Sequence, residues 1–499
     1  MEIGSYLTLG LYFALMLGIG VYSFRESTDD VAGYMLGGRR LGPAVSALSA
    51  GASDMSGWML MGLPGAMYVS GLSSAWIAIG LFAGALANYM IVAPRLRVYT
   101  EVARDAITIP DYFDKRFNDK SRLLRIVSAV VIVVFFTLYT SSGMVAGGKL
   151  FQSAFGLDYG WGLWLTAGVV LAYTMIGGFM AVSLTDFVQG CIMFLALVLV
   201  PIVALTHIGG VDGMTETVRA VDPGLLNLFK DATLIGVISA LAWGLGYFGQ
   251  PHIIVRFMAI RSVRDVPTMR NIGMGWMLVT VLGALATGLA GLAYATRTGL
   301  EIADPETIFI VLGDILFDPL ITGFLLAAIL AAIMSTISSQ LLVSSSSLVE
   351  DFYGVFLRKA APQKELVMVG RLAVLAVSLA AIGLAYNPDS NVLGLVSKAW
   401  AGFGAAFGPL VILSLTWKRM TRNGALAGMI VGAATVLLWI YAPVLPGGAT
   451  LSGVLYEMVP GFALSFLAIV IVSKLDKAPA QDVVETFEHV EQVLADARK

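Results

Sequence analysis

Thirteen stretches of about twenty mostly apolar residues, the length needed to cross a bilayer, recur along this chain of 499 residues. They fall at 4–24, 43–68, 72–94, 125–151, 161–178, 185–207, 232–256, 271–296, 317–345, 367–386, 393–416, 424–442 and 455–474. In lipid, every backbone polar group must be satisfied inside the protein, so a chain built this way is a bundle of membrane helices. Composition agrees, since only 13% of residues are charged, where a soluble domain carries about 25%. The first run has no basic residue before it and no small-residue cleavage site after it, so it reads as a retained span. The single Cys191 excludes an internal disulfide framework and a multi-cysteine metal site. A net charge of -2 speaks against nucleic acid as a partner.

Basic residues orient the bundle. With the N-terminus outside, 26 of the 31 Lys and Arg residues collect in cytoplasmic segments, including Arg39 and Arg256. Arg219, Lys230 and Arg297 fall outside, and Lys149 and Lys398 sit near helix ends. This bias sets topology by the positive-inside rule, and it places the C-terminal tail in the cytoplasm. In that tail Val483, Phe487, Val490 and Leu494 recur at helical spacing, which predicts a short surface helix. Glu350 and Asp351 read as part of a solvated cytoplasmic turn.

The second run carries an anomaly. Ser49 to Trp58 places Asp54, three serines and repeated glycines where a lipid-facing helix would carry leucine. A carboxylate near the bilayer midplane costs about 2.5–3.5 kcal/mol even on the lenient insertion scale, so it marks a functional site. Glycines and serines let such a helix break and turn its carbonyls toward an ion. A second interruption, Trp243 to His252, holds three glycines and Pro251. Each interruption begins a run of five spans, 43–207 and 232–416, which enter the membrane from opposite sides. Paired interruptions of this kind point to a transporter with inverted repeats and a midplane site. Around the repeats lie a first span with its linker (1–42), an outside loop (208–231), two further spans (417–474) and the tail (475–499). In the ninth run Ala332, Ser335 and Thr336 stand at i, i+3 and i+4, one helix face. A carbonyl and two hydroxyls are hard oxygen ligands that suit a small cation.

Long stretches carry a resemblance. These are the segment around Asp54, YMLGGRRLGP from Tyr34 to Pro43, and GLGYFGQPHIIVRFM from Gly244 to Met258. Ala331 to Leu342 and Ala399 to Gly428, with its MTRNGALAG, complete them. In these stretches the chain resembles the sodium/solute symporter family over about residues 30–475. The resemblance implies an all-α polytopic membrane protein with a LeuT-like five-plus-five inverted repeat, one extra helix before it and two after. It also implies sodium-driven uptake of L-proline across a bacterial inner (plasma) membrane. Carried onto this sequence, the sodium ligands would be the carbonyls of Ala52, Met55 and Ala332 and the hydroxyls of Ser335 and Thr336. Asp54 would serve sodium coupling, Asp186 would lie on the inner release route, and Arg39 would stand near the cytoplasmic mouth.

Residue chemistry fits that substrate. Proline's carboxylate suits the free N–H groups where a broken helix restarts, at Ser56, Gly57 and Trp58. Its secondary ammonium suits an aromatic face. Trp58, Tyr139, Trp243 and Tyr247 can form that box, with Gln250 and Pro251 closing one side. A different small solute, such as pantothenate, a betaine or a sugar, is the runner-up, and a sugar would call for more Asn, Gln, Glu and Lys. A channel would show a repeated filter loop or rings of charge, which the sequence lacks. Gly143 to Lys149 fits GxxxxGK, but Leu150 replaces the Ser or Thr a phosphate loop needs. No catalytic constellation is present, and an enzyme is not expected.

Overall fold

A computed structural model describes residues 2–26, 31–387 and 390–497. Arg498 and Lys499, counted above as cytoplasmic charges, lie outside them. Among the described residues the secondary structure is helical, with one isolated parallel bridge, Leu41 to Ile260, and no strand. After α1 (Ile3–Glu26) and the short α2 (Val31–Leu36), the first core helix enters as α3 (Pro43–Asp54). Pro43 sits in its first turn, where a missing N–H costs nothing. The helix stops at Asp54 because Met55 turns out of helical geometry (φ −78°, ψ 75°). It restarts at Trp58 as a π-helical turn through Gly62 and continues as α4 (Leu63–Ser70). Next come α5 (Ala75–Val102), the cytoplasmic-loop helix α6 (Ile109–Phe117) and α7 (Leu123–Phe155).

The fifth and sixth expected runs are two helices that meet end to end at Gly178 within α8 (Tyr159–His207), with no loop between them. Only Gly178 departs from helical geometry (φ 60°, ψ −152°), and a Cβ there would sit 2.6 Å from the Tyr34 ring. A single glycine therefore does the work of a loop. Outside helix α9 (Gly210–Val221) precedes the second broken helix, α10 (Leu234–Leu241) and α11 (Pro251–Ala259). Between them Ala242–Gly249 forms an unusually long 3₁₀ stretch. It packs backbone to backbone on α5: a Cβ on Gly84 would lie 2.1 Å from the Gly244 carbonyl oxygen. Close approach of glycines replaces the hydrophobic drive that lipid does not supply between helices.

The chain continues through α12 (Val266–Thr298), the outside α13 (Ile308–Leu316) and α14 (Pro319–Ser346). Then follow α15 (Gln363–Leu384), α16 (Val392–Thr416), α17 (Arg422–Tyr441), α18 (Met458–Leu475) and the tail helix α19 (Gln481–Ala497). Among the described residues, ten helices are long and apolar enough to cross a membrane. Two shorter apolar ones, Tyr159–Ala172 and Leu234–Gly249, coincide with the fifth and seventh expected runs. The tail helix buries Val483, Phe487, Val490 and Leu494, the face its spacing marked. Phe487 covers the Arg116 guanidinium at 5.2 Å, and Glu488 pairs with Lys418 at 3.1 Å.

Asp351 departs from expectation. α14 runs on as a π-helical segment, Ser347–Leu357, so Asp351 is not in a solvated turn. It is fully buried, taking Arg125 Nε at 2.7 Å and the Thr108 hydroxyl at 3.0 Å. The guanidinium on α7 compensates the charge and makes its burial tolerable.

Candidate functional site

The break after α3 lies against the middle of α14. Ser335 Oγ donates to the Ala52 carbonyl at 2.7 Å and stands 3.2 Å from that of Ala332. Thr336 Oγ1 lies 3.5 Å from the Ala52 carbonyl and 3.2 Å from that of Ala332. Four of the five oxygens the resemblance singled out thus converge at one point between α3 and α14. Met55, which carries the fifth, caps α3 three residues on and gives its N–H to Gly51. The cluster is neutral, buried and rich in hard oxygen, a donor set that fits a small cation of low charge.

Asp54 stands one turn from the cluster and is nearly fully buried. Tyr247, from the second broken helix, donates its phenol to Asp54 Oδ2, so one carboxylate ties the two interruptions together. Asp54 Oδ1 has no hydrogen-bond partner. The Asp54 carbonyl takes the Trp58 indole N–H at 3.1 Å, across the break. Within it, Ser56 N–H donates to the same carbonyl at 2.9 Å, and Gly57 leaves room for Ala146, whose Cβ a side chain would meet at 2.9 Å.

The expected aromatic residues are all buried. Tyr247 stands edge-on to Trp400 (centroids 5.1 Å, 87°), and Gln250 Nε2 donates to the Trp400 carbonyl at 3.1 Å. Tyr139 meets His252 edge-on at 5.7 Å. Pro251 opens α11. Trp243 stacks on Tyr456, before α18 (5.5 Å, 21°), while its carbonyl takes the Trp400 indole N–H at 2.7 Å. The Tyr139 hydroxyl, Gln250 Oε1 and both ring nitrogens of His252 have no partner. Buried polar atoms are ordinarily satisfied, so unpartnered groups beside both breaks suit a polar ligand.

One helical turn past Ser335 along α14, Asp186 of α8 forms a second buried cluster. Its Oδ2 takes Arg256 Nη2 at 3.0 Å and Ser49 Oγ at 2.8 Å, and Arg256 Nη2 also reaches Ser339 Oγ at 2.7 Å. Four elements, α3, α8, α11 and α14, are joined by this ion pair. Arg256 was grouped with the cytoplasmic charges from sequence, yet it is fully buried. A signal was available: Arg256 follows His252 by four residues, on the same helix face, and Ser339 follows Ser335 by four.

Beyond this pair, backbone contacts join the end of α11 to the segment before α3. Leu41 N–H donates to the Ala259 carbonyl at 3.2 Å, and Arg261 N–H to that of Leu41 at 3.0 Å. Arg39 clasps this junction, reaching the carbonyls of Met258 at 2.8 Å and Ala106 at 2.6 Å and pairing with Asp105 at 2.9 Å. Burial holds its guanidinium below the ordinary value, against the opposing pull of Asp105. At the opposite end of the bundle stands Glu306, which sequence reasoning passed over. It pairs with Lys149 at 3.0 Å and accepts the Val392 and Leu393 N–H groups at the start of α16, at 3.1 and 3.2 Å.

Comparison with known proteins places this geometry. The model of the sodium:solute symporter family matches residues 34–432. The osmoregulated proline transporter OpuE of Bacillus subtilis is 61% identical over 494 residues, 99% of either chain. The high-affinity proline transporter PutP of the same organism is 60% identical and covers 96% of this chain and 100% of its own. Sodium/proline symporter 2 of Staphylococcus saprophyticus is 54% identical, covering 98% of this chain and 96% of its own. Among solved structures, a substrate-bound outward-open Na+-coupled sialic acid symporter superposes with a TM-score of 0.79. It is 20% identical and covers 96% of this chain and 99% of its own, a likeness of fold. The all-α, LeuT-like architecture expected from sequence is the one observed. The protein is a multi-pass membrane transporter and not an enzyme, and the chain belongs to the sodium:solute symporter family.

Proposed function

We propose that this protein is a sodium-coupled symporter that imports L-proline by alternating access. The observation that carries the reading is the meeting of Ala52, Ala332, Ser335 and Thr336 at the break of the first core helix. Relatives 54–61% identical over nearly the whole chain bear the names of proline transporters. In this reading sodium replaces hydroxyl–carbonyl hydrogen bonds with ion–dipole contacts to the same oxygens, joined by the Met55 carbonyl. The ion thereby ties α3 to α14 and fixes the geometry of residues 55–57. The N–H groups near Gly57 and Trp58, at the positive end of the restarted helix, then receive the proline carboxylate, with the Ser56 side chain beside them. Trp58, Tyr139, Trp243, Tyr247, Gln250 and Pro251 enclose the ring and the ammonium. Because both ligands use one unwound segment, each raises the other's affinity by the same factor.

Asp54 balances the arriving charge through its free oxygen, Asp186 lies on the inner route, and Arg39 guards its mouth. Thirteen spans cross a bacterial inner membrane with the N-terminus outside, and the repeats 43–207 and 232–416 move as the rocking units. The test is uptake of radiolabelled L-proline into proteoliposomes. Accumulation is expected with an inward sodium gradient and not with potassium alone; equal uptake in both would defeat the mechanism. A competition panel with pantothenate, betaine and sugars checks the substrate, and proline is expected to be displaced only by close analogues.

A further inference from the structure

A cavity of about 490 Å³ lies away from the transport site, between the ends of α5 and α12. Met90 and Pro94 of α5, Arg264, Pro267 and Arg270 at the start of α12, and Leu494 of the tail helix line it. Its walls are chiefly apolar and its charges are of one sign. Arg264 and Arg270 form no ion pair among the described residues. Asp265, beside them, is held by Arg261 at 2.6 Å, and Arg270 touches only the Asn271 side-chain oxygen, at 3.1 Å.

Beyond the cavity, α5 and α12 each present exposed apolar side chains. On α5, Pro94, Met90 and Leu86 follow one another at four-residue spacing; on α12, Asn271, Gly275, Leu278 and Leu282 share the face that starts at Pro267. Leu86, Met90, Leu278 and Leu282 are exposed. Tyr89 closes the floor between the helices, its hydroxyl against Gly273. From Arg270 to Leu282 the helix rises about 18 Å, close to the depth of one leaflet of a hydrocarbon core about 30 Å thick.

We propose that this cavity binds the headgroup of an anionic phospholipid of the cytoplasmic leaflet. Its phosphate pairs with Arg264 and Arg270, and an acyl chain lies along Leu86, Met90, Leu278 and Leu282. A basic pocket that opens onto an apolar seam at the inner interface has the two chemistries such a lipid presents. Free phosphate would use the arginines and leave the seam unexplained. The inference rests on the reading that this end of α5 and α12 faces the cytoplasm. Lipid retention in detergent does not depend on that topology or on transport, so failure of either reading is seen separately.

The experiment uses the full chain in mixed micelles containing equal amounts of phosphatidylglycerol and phosphatidylcholine with identical acyl chains. Native mass spectrometry is expected to show phosphatidylglycerol retained about tenfold over phosphatidylcholine. Arg264→Gln/Arg270→Gln should bring that ratio near one, while Lys359→Gln/Lys364→Gln, exposed charges elsewhere, should leave it intact. A photoactivatable phosphatidylglycerol on the unaltered protein should label residues 86–94 and 263–282. Undiminished selectivity in the double variant, labelling confined to other segments, or displacement of the lipid by millimolar inorganic phosphate would each overturn the proposal.

Discussion

Asp54 and Asp186 are both carboxylates sealed inside the bundle, and both are within reach of α3 and α14. Their company differs. Asp186 has a guanidinium at 3.0 Å and the Ser49 hydroxyl at 2.8 Å. Asp54 has a single phenol, from Tyr247, and no ion pair; in both carboxylates Oδ1 has no hydrogen-bond partner. A buried charge is tolerated when a counter-charge and hydrogen bonds surround it. By that standard Asp186 has its counter-charge within the protein, and in the proposed reading Asp54 gains one only when a cation arrives from outside. One carboxylate ties four helices together; the other, in that reading, is left for cargo to satisfy.

The sharpest way to break this contrast is to remove the Asp186 carboxylate. Asp186→Ala leaves Arg256 buried and unpaired, which should cost about 3–5 kcal/mol of stability. The loss is read as a lowered thermal midpoint of the solubilised protein, with recovery in Asp186→Ala/Arg256→Met. An unchanged midpoint would show that the pair is not structural. Asp54→Asn should do the reverse, with stability near that of the parent and half-saturating sodium for proline uptake raised at least about tenfold, or 1.4 kcal/mol. Equal sodium dependence in Asp54→Asn and Asp186→Asn would erase the distinction. The smallest effect is expected from Tyr247→Phe, which keeps the ring and removes only the phenol. Sodium affinity should fall two- to fivefold, under about 1 kcal/mol; a loss as large as that of Asp54→Asn would mean that the phenol, and not the charge, governs coupling.

Local chemistry made much of this legible in the sequence. The two breaks could be read because glycine, serine and proline announce themselves inside apolar runs. The hydroxyl face could be read because Ala332, Ser335 and Thr336 satisfy helical spacing without help from any other element. What escaped depends on partners remote in the chain. Arg256 meets Asp186 across 70 residues and Arg125 meets Asp351 across 226; helical spacing sets Arg256 on the face of His252 but does not supply the acidic partner on another helix. That the two halves of α8 meet without a loop was hidden for a different reason: hydropathy falls at a glycine hinge much as it does at a loop. Glu306 lies in a short segment before α13 that carries no periodic signal.

The seam where Gly84 meets Gly244 has a mechanical meaning. Two backbones at that distance have no side chains between them that could change rotamer, so they cannot slide past each other by repacking. The unwound stretch Ala242–Gly249 and α5 therefore travel as one lever. Its far end bears Tyr99, against which Phe487 of the tail rests, and Arg97, which grips the Ile260 carbonyl at 2.6 Å. The second break, the Leu41–Ile260 junction and the tail helix are thus joined through one element.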